Sequence, residues 1–358
     1  MKRRQSKKEK LLAIAMAVAM AVTMTPAMAF AADGEGGAGS SEGPGGDVIL
    51  TNPNIVRENV EIEEGEFQQK ETTYWDAIYF GSYEQSETNG VYFTEPIKWK
   101  VLQVYDNNND GRPEEAFVAA DKVLDAKKYH DVENTPELNG ETWATCTLRS
   151  WLNGYDSNKN SKKTDYSQNP ADSFINTAFN AKEQSAILET ELETTSDKVY
   201  LLSYVEAMSE NYGFINSSGS TDTRTEKYTD YASNQGGEQS QPETGYADYW
   251  LRTSAQDTRG AMWVTYHGNV YEGQQITNTY GVRPSLHIDL TKGEWSYAGA
   301  VDSNGNEYDR RITEIRLYSD KVTYNGGPQN DNVEGVYSGD KLLEEQYDYS
   351  IEYDGSIE

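Results

Sequence analysis

Few residue types in this chain are suited to acid–base or metal chemistry. It has three histidines and one cysteine, Cys146. His267 falls in a predicted hairpin turn and His287 in a predicted strand, and neither follows a G-x-S-x-G motif. A single cysteine excludes both a disulfide framework and a cysteine-ligated zinc site. The residues therefore predict no catalytic set, and we expect the protein not to be an enzyme.

Carboxylates are abundant in the chain. Its 59 Asp and Glu residues outnumber 31 Lys and Arg residues, which gives a net charge of −28 over 358 residues. With so many acids, chance pairs are expected, and no two of them stand out as a glycosidase pair. A nucleic-acid partner is excluded, because phosphate binding requires clustered basic residues.

One acidic segment has the residue types of a calcium loop. Asp106, Asn108 and Asp110 precede Gly111 with the spacing that begins an EF-hand. The twelfth position is Phe117 instead of Glu, so the strongest ligand of that motif is missing. Two interpretations follow, a polar hairpin turn or a calcium site at Asp106, Asn108 and Asp110, and no other cofactor is expected.

Aromatic residues are concentrated between positions 246 and 280. Trp250 and Trp263 lie inside predicted strands, so we assign them to packing of the sheet. Tyr266, His267 and Tyr271 flank turns, and we predict that they contact a ligand. Aromatic rings of this kind stack on sugar rings or anchor protein partners.

Two arginines lie within predicted strands among apolar residues. Arg252 follows Trp250 and Leu251, and Arg283 stands between Val282 and Pro284. A planar guanidinium in such a position usually binds a buried carboxylate or backbone carbonyl groups. We predict structural roles for both, with binding of an anionic ligand as the alternative.

The elements that position these residues alternate along the chain. Period-two patterns predict strands, and capping residues at Thr147, Asp172 and Asn180 predict three helices. The predicted strands cover residues 78–83, 97–102, 116–120, 198–203, 249–254, 261–265 and 281–290. Strands, then helices, then strands predict an α+β fold.

The N-terminus has the pattern of a secretory signal peptide. Residues 2–10 are basic, residues 11–24 are uncharged, and Ala29-Phe30-Ala31 is a cleavage site. Fourteen apolar residues are too few to cross a bilayer, which needs about 20. We predict a signal peptide at 1–31, with an uncleaved anchor as the alternative. The leader holds six basic residues and one acidic residue, so cleavage changes the net charge from −28 to −33.

The processed protein is then secreted or extracellular, with no membrane insertion. Residues 32–70 are rich in Gly, Ser and Glu and predict a flexible acidic tether. We expect ordered structure to begin near Tyr74.

The chain resembles a known but uncharacterised domain over residues 71–292. The motifs are FGSYEQ (80–85), PIKWKVL (96–102), DKVLDAKKY (121–129), TWATCTLRSWLNG (142–154), FINTAFNAKEQSAILET (174–190), DKVYLLS (197–203), YWLRTSA (249–255) and GVRPSLHIDL (281–290). In this order they look like a domain of secreted and surface proteins of gut Firmicutes, which are Gram-positive bacteria.

The end of this region also resembles the C-type-lectin-like fold of the formylglycine-generating enzyme group. The likeness rests on Trp250, Arg252 and the Gly281-Val-Arg283 ending. It implies a mixed sheet with two or three flanking helices and loops that display a binding surface. The oxidase activity of that group uses paired cysteines, and this chain departs from it by having only Cys146.

The C-terminal tail resembles the Ig-like repeats of Gram-positive surface proteins. Residues 293–311 are predicted as a linker and 312–358 as a partial Ig-like domain. A complete sandwich needs about 100 residues, so we expect this all-β segment to be incomplete and to continue toward a cell-wall attachment beyond Glu358.

Together these features predict a binding module that is secreted or displayed on a Gram-positive cell surface. Its expected partner is a glycan or a host or microbial surface protein. The alternatives are a structural spacer without a ligand, and an enzyme of unknown type with a formylglycine-generating-enzyme-like fold.

Overall fold

A computed structural model describes residues 48–63, 66–131, 142–155, 170–236, 245–255, 260–308, 314–317, 333–338 and 341–342. The predicted signal peptide and most of the predicted Ig-like segment lie outside these residues.

The described strands are short except for β2 and β3. The N-terminal ones are β1 (Asn54–Glu63), β2 (Glu66–Thr88), β3 (Val91–Tyr105), β4 (Glu115–Ala120), β5 (Asp125–Lys128), β6 (Ile187–Leu188), β7 (Thr190–Glu191), β8 (Ser196–Asp197) and β9 (Val199–Tyr200). The C-terminal ones are β10 (Tyr249–Ser254), β11 (Gly260–Val264), β12 (Val270–Gln275), β13 (Thr279–Val282), β14 (Ser285–Asp289), β15 (Ser296–Asp302), β16 (Glu307–Tyr308), β17 (Glu314–Leu317), β18 (Val333–Ser338) and β19 (Lys341–Leu342).

The α-helices in the described residues each have five to seven residues. They are α1 (Thr147–Asn153), α2 (Phe174–Ala178), α3 (Ala181–Ala186) and α4 (Asp230–Asn234). Asn180 and Glu183 form the predicted capping box of α3, which is confirmed. The N-cap of α1 is the buried Cys146, whose Sγ accepts a bond from Arg149 N, instead of the predicted Thr147.

Two sheets form most of the domain. The larger has the order β16-β15-β2-β3-β4-β14-β6, with β1 added beside β2 and β9 beside β14. The smaller has the order β12-β11-β10-β13-β5. Trp75 and Trp99 of the larger sheet and Trp250 of the smaller are fully buried in one apolar core. The fold is mixed and strand-dominated, in line with the α+β prediction.

The predicted strand 281–290 is two strands in two different sheets. β13 ends at Val282 in the smaller sheet, and β14 begins at Ser285 in the larger sheet. Pro284 lies between them, and it has no N–H for a sheet ladder. The chain therefore changes sheet at Arg283 and Pro284, which a period-two pattern does not reveal.

Strand structure also extends beyond the predicted limits of the domain. β1 and the start of β2 pair within the predicted tether, with Arg57 bound to Glu71 across the hairpin. Ordered structure therefore begins before Tyr74, because β-branched residues and cross-strand pairs outweigh the acidic composition there.

The predicted linker at 293–311 contains β15 and β16. Ala300 and Val301 are buried, and β15 pairs with β2 at the edge of the larger sheet. Beyond it, β17, β18 and β19 form a three-stranded sheet. The Ig-like assignment of that tail stays a prediction.

Candidate functional site

A row of aromatic side chains crosses one face of the smaller sheet. Trp250 pairs with Trp263 in the register of β10 and β11, and Trp263 pairs with Tyr271 of β12. The ring of Tyr280 on β13 lies 4.9 Å from that of Trp250 and 5.0 Å from that of Trp263. The rings of Trp263 and Tyr271 are 6.1 Å apart. The row is therefore continuous.

Exposure increases along this row. Trp250 and Tyr280 are buried, Trp263 is half-buried, and 52 % of Tyr271 is exposed to solvent. The buried ring of Tyr280 packs against Trp263, so the exposed end of the row is continuous with the core of the protein. We call Trp263 and Tyr271 the aromatic platform. It is an apolar surface held in place by the packed rings beside it.

The other two predicted ligand-contacting residues lie in the turn between β11 and β12. The rings of Tyr266 and His267 are 3.9 Å apart, and His267 is exposed. Tyr266 N donates to Asp248 Oδ1, and His267 O accepts from Thr221 N. Among the described residues, Tyr266 and His267 have no ring contact with Tyr271. The structure therefore places the three residues on one hairpin as two separate groups.

Arg224 binds this turn, and no motif in the sequence predicts that role. Its side chain is fully buried, and its Nε donates to Gly268 O at 2.8 Å. The two Nη atoms donate to the carbonyl oxygens of Ala207, Ile215, Ser217 and Gly219. Burial lowers the pKa of Arg224. One guanidinium thus joins the segment 207–219 to the turn beside the platform.

Arg252 binds two carboxylates and a backbone carbonyl. Its guanidinium forms two bonds to Glu206 and two to Glu193, and Nη1 donates to Leu201 O at 2.9 Å. Its side chain is 5 % exposed, while that of Glu193 is 64 % exposed. Because the guanidinium of Arg252 is already bonded to groups of the protein itself, it is unsuited to binding an anionic ligand.

Arg283 belongs to a buried cluster of charges. Its Nη2 lies 2.8 Å from Glu226 Oε1, and Lys100 Nζ lies 2.8 Å and 2.9 Å from the two Glu226 oxygens. The Nη2 atom is close enough to Glu226 to form an ion pair, but its N–H groups are not aligned with that carboxylate for a hydrogen bond. Burial raises the pKa of Glu226, and the nearby Arg283 and Lys100 oppose that rise. We call Lys100, Glu226 and Arg283 the buried charge cluster.

The acidic loop between β3 and β4 brings together a different set from the predicted one. Carboxylate oxygens of Asp106, Asp110 and Glu114 lie within 4.8 Å of one another. Asn108 instead accepts a bond from Asp110 N and donates to its carboxylate. Asp106 accepts bonds from Asp110 N and Gly111 N, so the loop is held by its own side chains. Calcium binding at this loop stays a prediction.

His287 lies on the larger sheet and pairs with Glu115. Its Nδ1 contacts Glu115 Oε1, and its ring stacks on Phe117 at 4.8 Å. Within the described residues no serine is hydrogen-bonded to His287, so this pair does not complete a Ser-His-acid triad. The third histidine, His130, is buried, and its Nδ1 accepts a bond from Thr147 N.

The described helices are too short, or not apolar enough, to cross a membrane. No curated protein and no solved structure matches the chain. Residues 113–290 match a family model described as a domain of unknown function, DUF6273, and all three histidines and the aromatic platform lie within this range.

Proposed function

We propose that this protein is a glycan-binding module of the cell exterior, and that a sugar ring stacks on Trp263 and Tyr271. The exposed end of the aromatic row carries this proposal. Trp250, Tyr249 and Tyr280 of the smaller sheet are buried, whereas Tyr271, at 52 % exposure, presents its ring to solvent beside the half-buried Trp263. The predicted signal peptide is the basis for the extracellular location.

A sugar is favoured over a large protein partner by the size of the surface. The platform consists of two rings whose centroids are 6.1 Å apart, which is comparable to one or two sugar units. A stable protein interface needs roughly 800 Å² on each partner.

The platform is also preorganised for binding. Tyr280 packs against both Trp263 and Trp250, and Arg224 binds the turn that joins β11 and β12. A site supported in this way loses little side-chain freedom when a ligand binds.

Binding of the purified chain to arrays of neutral glycans and mucins tests the proposal. A glycan found there is then titrated by calorimetry against Tyr271→Ala and a matched variant, Phe93→Ala. Phe93 is also an exposed aromatic, at 48 %, but it lies on β3 of the larger sheet. We expect about tenfold weaker binding for Tyr271→Ala and no change for Phe93→Ala. Silence on the arrays, or equal losses for both variants, would contradict the proposal and favour a structural spacer.

A further inference from the structure

The segment 204–216 carries an open depression of about 520 Å³ on its surface. That volume lies in the range of roughly 300–1,000 Å³ that small-molecule sites occupy. The depression is lined by residues of this segment, and none of them belongs to the aromatic platform or to the buried charge cluster. We call it the loop depression.

Buried donors of the core hold the backbone around the loop depression. Arg224 donates to the carbonyl oxygens of Ala207 at 3.3 Å and Ile215 at 2.8 Å, and Trp75 Nε1 donates to Tyr212 O at 2.9 Å. Both donor side chains are fully buried. The depression is therefore shaped before a ligand arrives, and little conformational freedom is lost on binding.

Part of the lining of the loop depression is apolar. Val205 is 75 % exposed, which makes it the most exposed large apolar side chain of the described residues. Met208 and the half-buried Tyr204 line the same depression. Single exposed apolar residues are common on protein surfaces, but an apolar patch bordered by polar side chains is typical of a ligand site.

The other part of the lining offers unused hydrogen-bonding groups. In the part of the chain that the structure describes, the side chains of Ser209, Asn211 and Asn216 form no hydrogen bond with another residue. Each asparagine amide has two donors and one acceptor. Glu210 adds a carboxylate that is 52 % exposed and lies 3.4 Å from Arg57 Nη2. Because the lining has a carboxylate and no lysine or arginine, it does not favour an anionic ligand.

The backbone of this segment offers little to an extended peptide. The carbonyl oxygens of Val205, Glu206 and Glu210 accept bonds from N–H groups three residues later, and that of Ser209 accepts two such bonds from its own segment. A peptide that adds to a strand binds mainly through free backbone groups. A ligand of the loop depression must therefore be recognised through side chains.

We propose that the loop depression binds an N-acetylated sugar. The methyl group of its acetamide would lie against Val205 and Met208, and its amide and hydroxyl groups would bond to the free side chains of Ser209, Asn211 and Asn216. A sugar without the acetamide lacks the methyl group that fits the apolar part of the lining. This site goes beyond the proposed function, because it uses neither residue of the aromatic platform.

Two tetrasaccharides of equal length and linkage test the site, chitotetraose, made of N-acetylglucosamine, and cellotetraose, made of glucose. The full chain with Tyr271→Ala is titrated with each by calorimetry, so that the aromatic platform contributes little to either affinity. We expect chitotetraose to bind at least about tenfold more tightly, because only its acetamide groups can bury a methyl group and pair with an amide. The platform is already weakened in this chain, so the two proposals fail separately.

Variants in the same chain locate the effect. Val205→Ser should remove most of the preference for chitotetraose, while Val91→Ser, which changes another exposed valine on β3, should leave it unchanged. Asn216→Ala is the second variant, and we expect it to weaken chitotetraose binding several-fold because one amide is lost from the lining.

Equal affinity for the two tetrasaccharides would overturn the proposal. Equal losses for Val205→Ser and Val91→Ser would also overturn it, because the preference would then arise elsewhere on the chain. Acetylated and amidated tetraalanine carries an acetamide group without a sugar ring. If it bound as tightly as chitotetraose, the depression would be a peptide site instead.

Discussion

The buried charge cluster and the aromatic platform use their side chains in opposite ways. Lys100, Glu226 and Arg283 carry the residue types expected of an active site, but they are almost fully shielded from solvent and bind one another. Trp263 and Tyr271 carry residue types expected of a core, and Tyr271 is half exposed. In these two regions the ionic groups connect elements inside the protein, and the aromatic groups reach the surface.

The position of each region in the fold explains this contrast. Arg283 lies where the chain passes from the smaller sheet to the larger one, and Glu226 joins it to Lys100 on β3. The charged side chains there bind backbone and side-chain groups between two sheets whose strands are not paired with each other. Tyr271 lies on β12, the edge strand of the smaller sheet, and Trp263 lies on the adjacent strand β11. The type of a residue alone therefore does not indicate its role, and the exposure of its side chain has to be known as well.

Removing the central carboxylate should give the largest effect on stability. Glu226→Gln would leave the buried Arg283 without its counterion and Lys100 with only Asp121, 3.4 Å away, and loss of a buried partner of this kind costs about 3–5 kcal/mol. Urea unfolding measures this loss, with Glu272→Gln on β12 as the exposed control, expected within about 0.5 kcal/mol of the parent. A loss below about 1 kcal/mol for Glu226→Gln would break the comparison, because the cluster would then not hold the two sheets.

Arg224→Met should cause the second-largest loss of stability. The substitution keeps most of the apolar stem but leaves the carbonyl of Gly268 and those of the segment 207–219 without their donor. Because the bonds to Gly268 O and Ala207 O are buried, we expect a loss of about 2–4 kcal/mol by urea unfolding.

Arg224→Met also tests the contrast between the two regions, because the buried guanidinium of Arg224 binds the turn beside the aromatic platform. If the turn positions Trp263 and Tyr271, folded Arg224→Met should also bind the glycan less tightly. Unchanged affinity in a destabilised variant would show that the platform needs no support from this arginine.

Much of the local structure could be predicted from sequence patterns. The strands at 97–102 and 249–254, the start of α1 near Thr147 and the capping box at Asn180 follow from alternation and capping chemistry, which act over a few residues. The break at Pro284 could not be placed, because only the three-dimensional arrangement shows that a second sheet receives the chain there. Strands in an acidic segment such as β1 depend on a partner strand that a local pattern does not show.

The candidate site was harder to predict for a similar reason. Tyr271 follows from its place beside a turn, but its pairing with Trp263 depends on the register of β11 and β12. Arg224 binds only backbone carbonyls, which every residue has. No side-chain pattern in the sequence therefore predicts its role. Glu115 and His287 are 172 positions apart and meet only through the ladder of β4 and β14.

Two substitutions within the platform should separate packing from binding. Trp263 contacts the buried Tyr280, so Trp263→Ala should cost about 2–3 kcal/mol in stability and also abolish glycan binding. Tyr271→Ala should change stability by no more than about 0.5 kcal/mol while binding falls about tenfold. Thermal unfolding and calorimetry on the same samples measure both quantities. A large stability loss for Tyr271→Ala would place it in the core and remove the contrast with the buried charge cluster.

The smallest effect is expected from an exposed acidic loop, which tests whether burial or charge decides the cost. Asp106→Asn removes the same single charge as Glu226→Gln, but Asp106 lies in a solvent-facing turn beside Asp110 and Glu114. An asparagine side chain keeps one acceptor for the bonds from Asp110 N and Gly111 N, and loss of one negative charge relieves repulsion among the three acids. These changes oppose each other, so we expect urea unfolding to shift by less than about 1 kcal/mol. A loss as large as that of Glu226→Gln would mean that the charge itself, and not its burial, stabilises this fold.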